Sequence, residues 1–260
     1  MMPVLSVVIA VRDRRSMLEA AVSSAMSQVT ADDEILIVDD GSSDATKQWL
    51  DEVRERDPRI RVVTQPPSGV AAARRRGLLE ARRDFVCVLD SDDKLLPGAL
   101  ERIRVALAHE HADLVYGWYR EWSRRGGFRV IQLPSFDDNK AMLRQTLVRP
   151  RVPFKHSGTT FDRNVGLKLG VYDQSLVSKI DVDLYLRFLR AGRRLTLIRE
   201  ALVEFCRHPA SMSSDRLAGL RSWFTIIDRY GPESKMERAA VKCMRATAEG
   251  AKLLAQYIGR

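Results

Sequence analysis

Leu5 to Val11 is an almost unbroken apolar run, and this feature restricts the architecture most. A strand with one face in water alternates apolar and polar residues, whereas a continuous run belongs to a strand covered on both faces. The pattern then repeats along the first third of the chain. Ser16 to Gln28 places Leu18, Ala21, Val22, Ala25 and Met26 on one helical stripe. Glu34 to Val38 reads as a second strand, Ala45 to Arg56 as a helix, and Ile60 to Val63 as a third strand halted before Pro66 and Pro67. Gly69 to Ala81 suits a helix and Phe85 to Leu89 a fourth strand. Successive strand–helix units predict an α/β fold with a mostly parallel central sheet flanked by helices.

Beyond Asp93 the pattern loosens. Pro97 to Ala108 reads as a helix, Asp113 to Tyr119 and Lys155 to Asp162 as strands, and Val182 to Leu189 as the start of a helix ended by Gly192. Pro134 to Pro153 holds three prolines and many polar residues, and reads as an irregular excursion with a short helix around Lys140 to Thr146. From Arg216 the tail is mainly helical, broken near Gly231 and Pro232. Val241, Met244, Ala248, Ala251, Leu254 and Ile258 recur on one face of its last helix, which suggests packing on the parent domain or a second subunit. Arg238, Lys242, Arg245 and Lys252 offer that helix an alternative, an anionic membrane surface. The domain reading is therefore 1–215 for a catalytic domain and 216–260 for a helical extension packed on the domain, a partner subunit or a membrane.

A net charge of +9 favours anionic ligands, nucleic acid or anionic membrane without choosing among them. Aromatic residues do not interleave the basic run Arg74, Arg75, Arg76, Arg82 and Arg83, so no specific nucleic-acid platform is expected. Cys87, Cys206 and Cys243 form no CxxC pair, which argues against a zinc knuckle or redox dithiol and for a reducing compartment. No apolar stretch approaches the ~20 residues that span a bilayer. The expected location is cytoplasmic, with peripheral contact at the inner face of the cell membrane left open, as is homo-oligomerisation.

Chemistry concentrates at strand ends. Asp90-Ser91-Asp92-Asp93 follows the fourth strand, and two aspartates on a sharp turn can share a hard divalent cation such as magnesium or manganese. A competing reading makes Asp92 or Asp93 the cap of the next helix. Asp39 and Asp40 end the second strand, where a carboxylate can meet a nucleoside, and Gly41 to Asp44 lets the chain pass close to such a ligand. Asp44 itself reads as a helix cap. Neither a GxGxxG fingerprint nor a P-loop is present. Arg74 is the best phosphate anchor of the basic run. Asp181 and Asp183, two apart, suggest one base and one structural partner. His208 reads equally as a ligand contact or a turn residue.

In order along the chain, these motifs resemble family two, GT-A-like inverting glycosyltransferases. The resemblance rests on Leu5-Ser6-Val7-Val8-Ile9-Ala10, Val38-Asp39-Asp40-Gly41-Ser42, Gly69, Ala73-Arg74 and Asp90-Ser91-Asp92. It continues through Gly170-Val171-Tyr172-Asp173, Asp181-Val182-Asp183-Leu184 with Arg187 and Gly192, then Arg207-His208 and Ser211-Met212-Ser213. It implies a GT-A nucleotide-diphospho-sugar transferase sandwich with a helical C-terminal extension, and transfer of a sugar from a nucleoside diphosphate donor to an acceptor hydroxyl by metal-assisted direct displacement. By position it makes Asp181 the catalytic base and Asp40, Arg74, Asp90, Asp92 and His208 donor-binding residues, with Asp90 and Asp92 on Mn2+ or Mg2+. The acceptor would be a hydroxyl-bearing glycan such as a surface polysaccharide, a lipid-linked glycan, a protein or a small molecule. Ile180 stands where a glutamate often precedes the base, Ala10 lacks a hydroxyl for the nucleoside, and Arg12-Asp13 replaces a frequent aromatic-asparagine pair. Two other readings stay open: a nucleotidyltransferase acting on a phosphorylated sugar, and a noncatalytic nucleotide-sugar-binding module.

Overall fold

The computed structural model describes residues 2–122, 126–206 and 216–258. The chain forms two compact units: Met1–Leu133 with Phe154–Tyr172 and Arg193–Arg207, and Pro134–Pro153 with Asp173–Gly192 and His208–Arg260.

The first unit is built on a sheet of β1 (Leu5–Val11), β2 (Glu34–Asp39), β3 (Ile60–Thr64), β4 (Phe85–Val88), β5 (Lys94–Leu95), β6 (Leu114–Trp122), β7 (Phe128–Ile131), β8 (Thr160–Asp162) and β9 (Leu195–Phe205). Its order is β3-β2-β1-β4-β8-β6-β9-β5, with β7 paired to β6. The expected mostly parallel sheet is corrected to a mixed one. β1–β2, β1–β4, β2–β3 and β6–β9 run parallel, while β4–β8, β5–β9, β6–β7 and β6–β8 run antiparallel. Parallelism holds along β1 to β4, where strand–helix units alternate; beyond Asp93 the pairings are mainly antiparallel, although the long strands β6 and β9 pair in parallel.

Helices cover both faces, as the apolar run of β1 requires. Leu5, Val7 and Ile9 join a core with Leu18, Val22 and Ala25 of α1 (Arg15–Met26), Trp49 and Leu50 of α2 (Ala45–Arg56), and Leu100 and Ile103 of α4 (Ala99–Glu110). The other face meets α3 (Val70–Glu80), where Gly77 permits the approach: a Cβ there would lie 2.4 Å from Val8 Cγ1. α6 (Arg163–Lys168) also packs against α3.

Buried polar groups are tied together at the amino ends of the strands. Asp33 accepts the Leu5 N–H (2.8 Å) and pairs with buried Arg104. Glu34 accepts Ser6 Oγ (2.6 Å), the Arg82 N–H (2.6 Å) and Arg61 Nη1 (2.7 Å). Burial works to raise the Glu34 pKa, yet these donors outweigh it and hold the carboxyl below its ordinary value of 4.5.

The second unit contains α5 (Asn139–Val148), α7 (Ile180–Arg190), α8 (Arg216–Tyr230) and α9 (Lys235–Ile258). α7 is buried nearly all round, through Ile180, Val182, Leu184, Tyr185, Leu186, Phe188 and Leu189. Along the apolar stripe of α9, Val241 and Ala248 are half-buried, while Met244 is 49% and Leu254 60% exposed. Among its described side chains the buried ones are Arg245 and Glu249. Arg245 donates to Thr146 O (2.6 Å) and Leu147 O (2.8 Å), and its guanidinium lies 3.6 Å from the Trp223 ring centroid. A cation here satisfies carbonyls at the end of α5 that have no partner within their own helix. Lys242 pairs with Asp228 and Lys252 with Glu249. Arg238 donates to Pro232 O and Glu233 O, so all four basic side chains considered for a lipid surface have partners inside this unit. No described helix is long and apolar enough to cross a membrane.

Glu34→Gln should cost about 1–3 kcal/mol, since it weakens three hydrogen bonds to a buried charge. Because the folded pKa is depressed, this stabilisation is present above the ordinary carboxylate range and is lost as pH falls through the folded value. Urea melts across pH should show the gap between wild type and Glu34→Gln narrowing below about pH 4.5.

Candidate active site

Parallel pairing puts the carboxyl ends of β1, β2 and β4 on one edge of the sheet, the edge where α/β folds bind ligands. At the end of β2, Asp39 Oδ1 accepts the Ser42 N–H (3.0 Å) and closes a turn in which Gly41 has φ 74°. A Cβ at Gly41 would lie 2.6 Å from Pro67 Cδ. Asp40 holds the facing loop: Oδ1 accepts Gln65 Nε2 (2.8 Å) and the Ser68 N–H (2.8 Å), and Oδ2 accepts the Gly69 N–H (2.8 Å). A carboxylate has about four acceptor positions, so this framing role leaves room for a further donor.

At the end of β4 the Asp93 N–H donates to Asp90 O (3.0 Å), and the Asp90 N–H donates to Ser157 Oγ (3.2 Å). This turn brings carboxylate oxygens of Asp90, Asp92 and Asp93 within 4.8 Å of one another. Three like charges at that spacing repel unless cations answer them. Arg74 Nη2 reaches Asp90 at 2.5 Å, Arg14 Nη1 reaches Asp92 at 3.3 Å, and Lys155 Nζ reaches Asp93 at 3.2 Å. Lys155 Nζ also sits 3.5 Å from the Phe205 ring centroid, a cation–π contact that fixes the ammonium. Burial would raise the Asp90 pKa, but the charges of Arg74, His156 and Lys155 outweigh it and hold the carboxyl well below the usual range. At Asp93 burial wins: helped by Asp90 and Asp92 and opposed by Lys155, it pushes the pKa up to about 6.

The donor set fits a hard divalent cation. It consists of carboxylate oxygens alone, and Asp93 Oδ2 is buried with Lys155 close by but outside hydrogen-bond alignment. Asp90 and Asp92, the less buried two, would hold the ion. The capping alternative for Asp92 and Asp93 is not what the structure uses: α4 begins after Gly98 with no side-chain cap. Asp44 does cap α2, accepting the Thr46 N–H at 2.8 Å.

Sequence reasoning named Asp13 only as a departure from the family pattern and gave it no role at this edge. Asp13 (φ 51°) accepts the N–H groups of Ser43 (2.7 Å) and Asp44 (3.3 Å), and its own N–H donates to Ser42 Oγ. The Ser43 N–H is the main cause of its lowered pKa. Arg14 and Lys155 were unseen. Asp13 and Arg14 follow β1 as Asp40 follows β2, so comparing what trails each strand would have found them; nothing local marks Lys155.

Asp181 lies in the second unit, in the first turn of α7 and only partly buried. Asp183 is 1% exposed and accepts Arg187 Nη2 (2.7 Å), Arg229 Nη1 (3.2 Å) and Tyr230 Oη (2.8 Å). It is the structural member of the pair, and Asp181 takes none of those contacts. Ile180 is buried, so that position contributes packing. His208 lies outside the described residues.

A model of glycosyl transferase family 2 matches residues 6–166. The chain belongs to that family. An uncharacterised glycosyltransferase of Bacillus subtilis, EpsJ, is 23% identical over 225 residues, covering 82% of this chain and 64% of that protein. A Campylobacter jejuni enzyme named GalNAc(5)-diNAcBac-PP-undecaprenol beta-1,3-glucosyltransferase is 38% identical over 121 residues, covering 45% of this chain and 38% of its own. The chain therefore spans less than two thirds of the length of these curated relatives. In fold it is similar to Staphylococcus aureus TarS 1-349, with a TM-score of 0.68 at 16% identity over 95% of this chain and 72% of that one.

Asp90→Asn and Asp92→Asn should each weaken Mn2+ binding at least about tenfold, as read by electron paramagnetic resonance titration. Gly41→Ala should lower stability by about 1–3 kcal/mol in a denaturant melt, because the left-handed backbone and the Pro67 contact both oppose a methyl group.

Proposed function

We propose that the protein is an inverting glycosyltransferase that moves a sugar from a nucleoside diphosphate donor to a hydroxyl of a glycan or lipid-linked glycan. The observation that carries the reading is the carboxylate turn at the end of β4, matched by Arg74 and placed beside the Asp40 loop in a family 2 chain. Support also comes from the named relatives: one is named for glucosyl transfer to an undecaprenol-linked glycan, and TarS 1-349 was crystallised with UDP-GlcNAc. In this reading residues 1–215 carry catalysis and 216–260 form a helical extension.

Asp40 offers its remaining acceptor position to the nucleoside. Arg74 has five N–H donors, enough to hold Asp90 and still meet a diphosphate oxygen. Asp90 and Asp92 would hold a divalent ion, which would supply charge neutralisation for the diphosphate. Asp181 takes the acceptor proton while the acceptor oxygen forms its bond to the anomeric carbon and the bond to the diphosphate breaks, which inverts the configuration. A carboxylate is a weak base toward a free alcohol, so proton transfer accompanies bond formation. Assigning the nearby buried carboxylate, Asp183, to Arg187, Arg229 and Tyr230 keeps it from competing for the proton.

A panel of nucleotide sugars assayed with glycan and lipid-linked acceptors should give a nucleoside diphosphate and a glycosylated product by mass spectrometry. Asp181→Asn should lower kcat by about a hundredfold or more while donor affinity stays within about twofold. Pyrophosphate released from a nucleoside triphosphate would instead establish nucleotidyl transfer.

A further inference from the structure

A second concentration of positive charge lies on the opposite edge of the sheet, at the amino ends of β2, β3 and β4. There an open cleft of about 170 Å3 is lined by Asp33, Glu34, Arg59, Arg61, Arg82 and Arg83 among others. The internal pairings account for most of its charges. Asp33 is answered by Arg104, and Glu34 by Arg61, which also donates to Glu80 O. Arg59 is held by both oxygens of Asp57 (3.0 and 2.8 Å).

That leaves Arg82 and Arg83. Their backbone N–H groups are used, by Glu34 and by Ser6 Oγ, and these bonds fix where the two side chains start. Among the described residues no carboxylate pairs with either guanidinium, and Arg83 Nε is buried without a hydrogen-bond partner. A buried N–H without an acceptor is costly, and two neighbouring cations without an anion add repulsion. Arg82 is exposed and Arg83 half-buried, so a ligand reaching them from solvent can bring the acceptor oxygens and negative charge that the cleft lacks. A phosphate monoester has that composition, and paired guanidinium forks match its oxygens. The cleft is below the ~300 Å3 at which pockets begin to enclose whole drug-sized ligands. It suits a phosphate group with the rest of its carrier outside, and it does not suit a buried nucleotide sugar.

We propose that this cleft is a phosphate-monoester site, distinct from the carboxylate turn on the other edge and independent of the sugar-transfer reading. Its ligand chemistry is shared by free phosphate and by a phosphatidic acid headgroup, so the test has two arms. Inorganic phosphate is titrated into the full chain by calorimetry against chloride of equal ionic strength, and sedimentation is measured with phosphatidylcholine vesicles with and without phosphatidic acid. Wild type should bind one or both phosphate-bearing probes saturably. The Arg82→Gln/Arg83→Gln double variant should lose affinity by at least about tenfold while its circular dichroism melt is retained, and Arg82→Lys/Arg83→Lys should fall between. Binding only to phosphatidic acid vesicles, lost in the double variant, supports the site with a lipid-borne phosphate. No binding of either probe overturns the proposal. So does binding that persists in the double variant or that disappears in Arg74→Gln, which would place the phosphate at the carboxylate turn.

Discussion

Charge compensation at the end of β4 governs how this protein is put together. Three carboxylates stand within 4.8 Å of one another on a turn, and each has its own cation drawn from a different stretch of chain. Arg74 comes from α3, Arg14 from the loop after β1, and Lys155 from the loop before β8. The segments that must be fixed for a ligand are therefore fixed by the same charges that a ligand and its cation would engage. The unequal pressures on Asp90 and Asp93 follow from this arrangement: one carboxyl is surrounded by cations, the other is buried with a single ammonium beside it.

The framework beneath this edge is less polar and more permissive. Both faces of β1 are covered, and the close approach of α3 to β1 depends on Gly77 lacking a side chain. Arg74 stands on the same helix, one turn before Gly77, so packing in the interior and the ion pair at the rim share one element.

The parts of the fold legible in the sequence are those with enough length to show a period. Residues Leu5 to Val11 and Ala45 to Arg56 have the observed bounds of β1 and α2. β5 has two residues, β7 four and α6 six, too few for any periodic signal. Lys155 to Asp162 was expected to be one strand, but only Thr160–Asp162 is, because Gly158 takes φ 82° and the chain turns to present Ser157 to Asp90. Within the site, Asp40, Asp90 and Asp92 announce themselves by following apolar strands. Arg14 and Lys155 do not, since their partners are 78 and 62 residues away and no local pattern encodes such a pairing. In α9 the apolar stripe is legible in the sequence, but the inward-facing Arg245 and Glu249 are not, because arginine and lysine stems can pack while their heads find carbonyls and carboxylates.

The inward face of α9 has a consequence for how the tail can be altered. Most helices dock through hydrocarbon, and removing one leaves a surface that clings to anything. Here the dock beneath Arg245 consists in part of the Thr146 and Leu147 carbonyls. Water can hydrate such groups if the helix departs. A chain that sheds its tail would thus uncover a seat of two kinds, the wettable carbonyls and the Trp223 ring beside them, so the loss would be felt at the aromatic side.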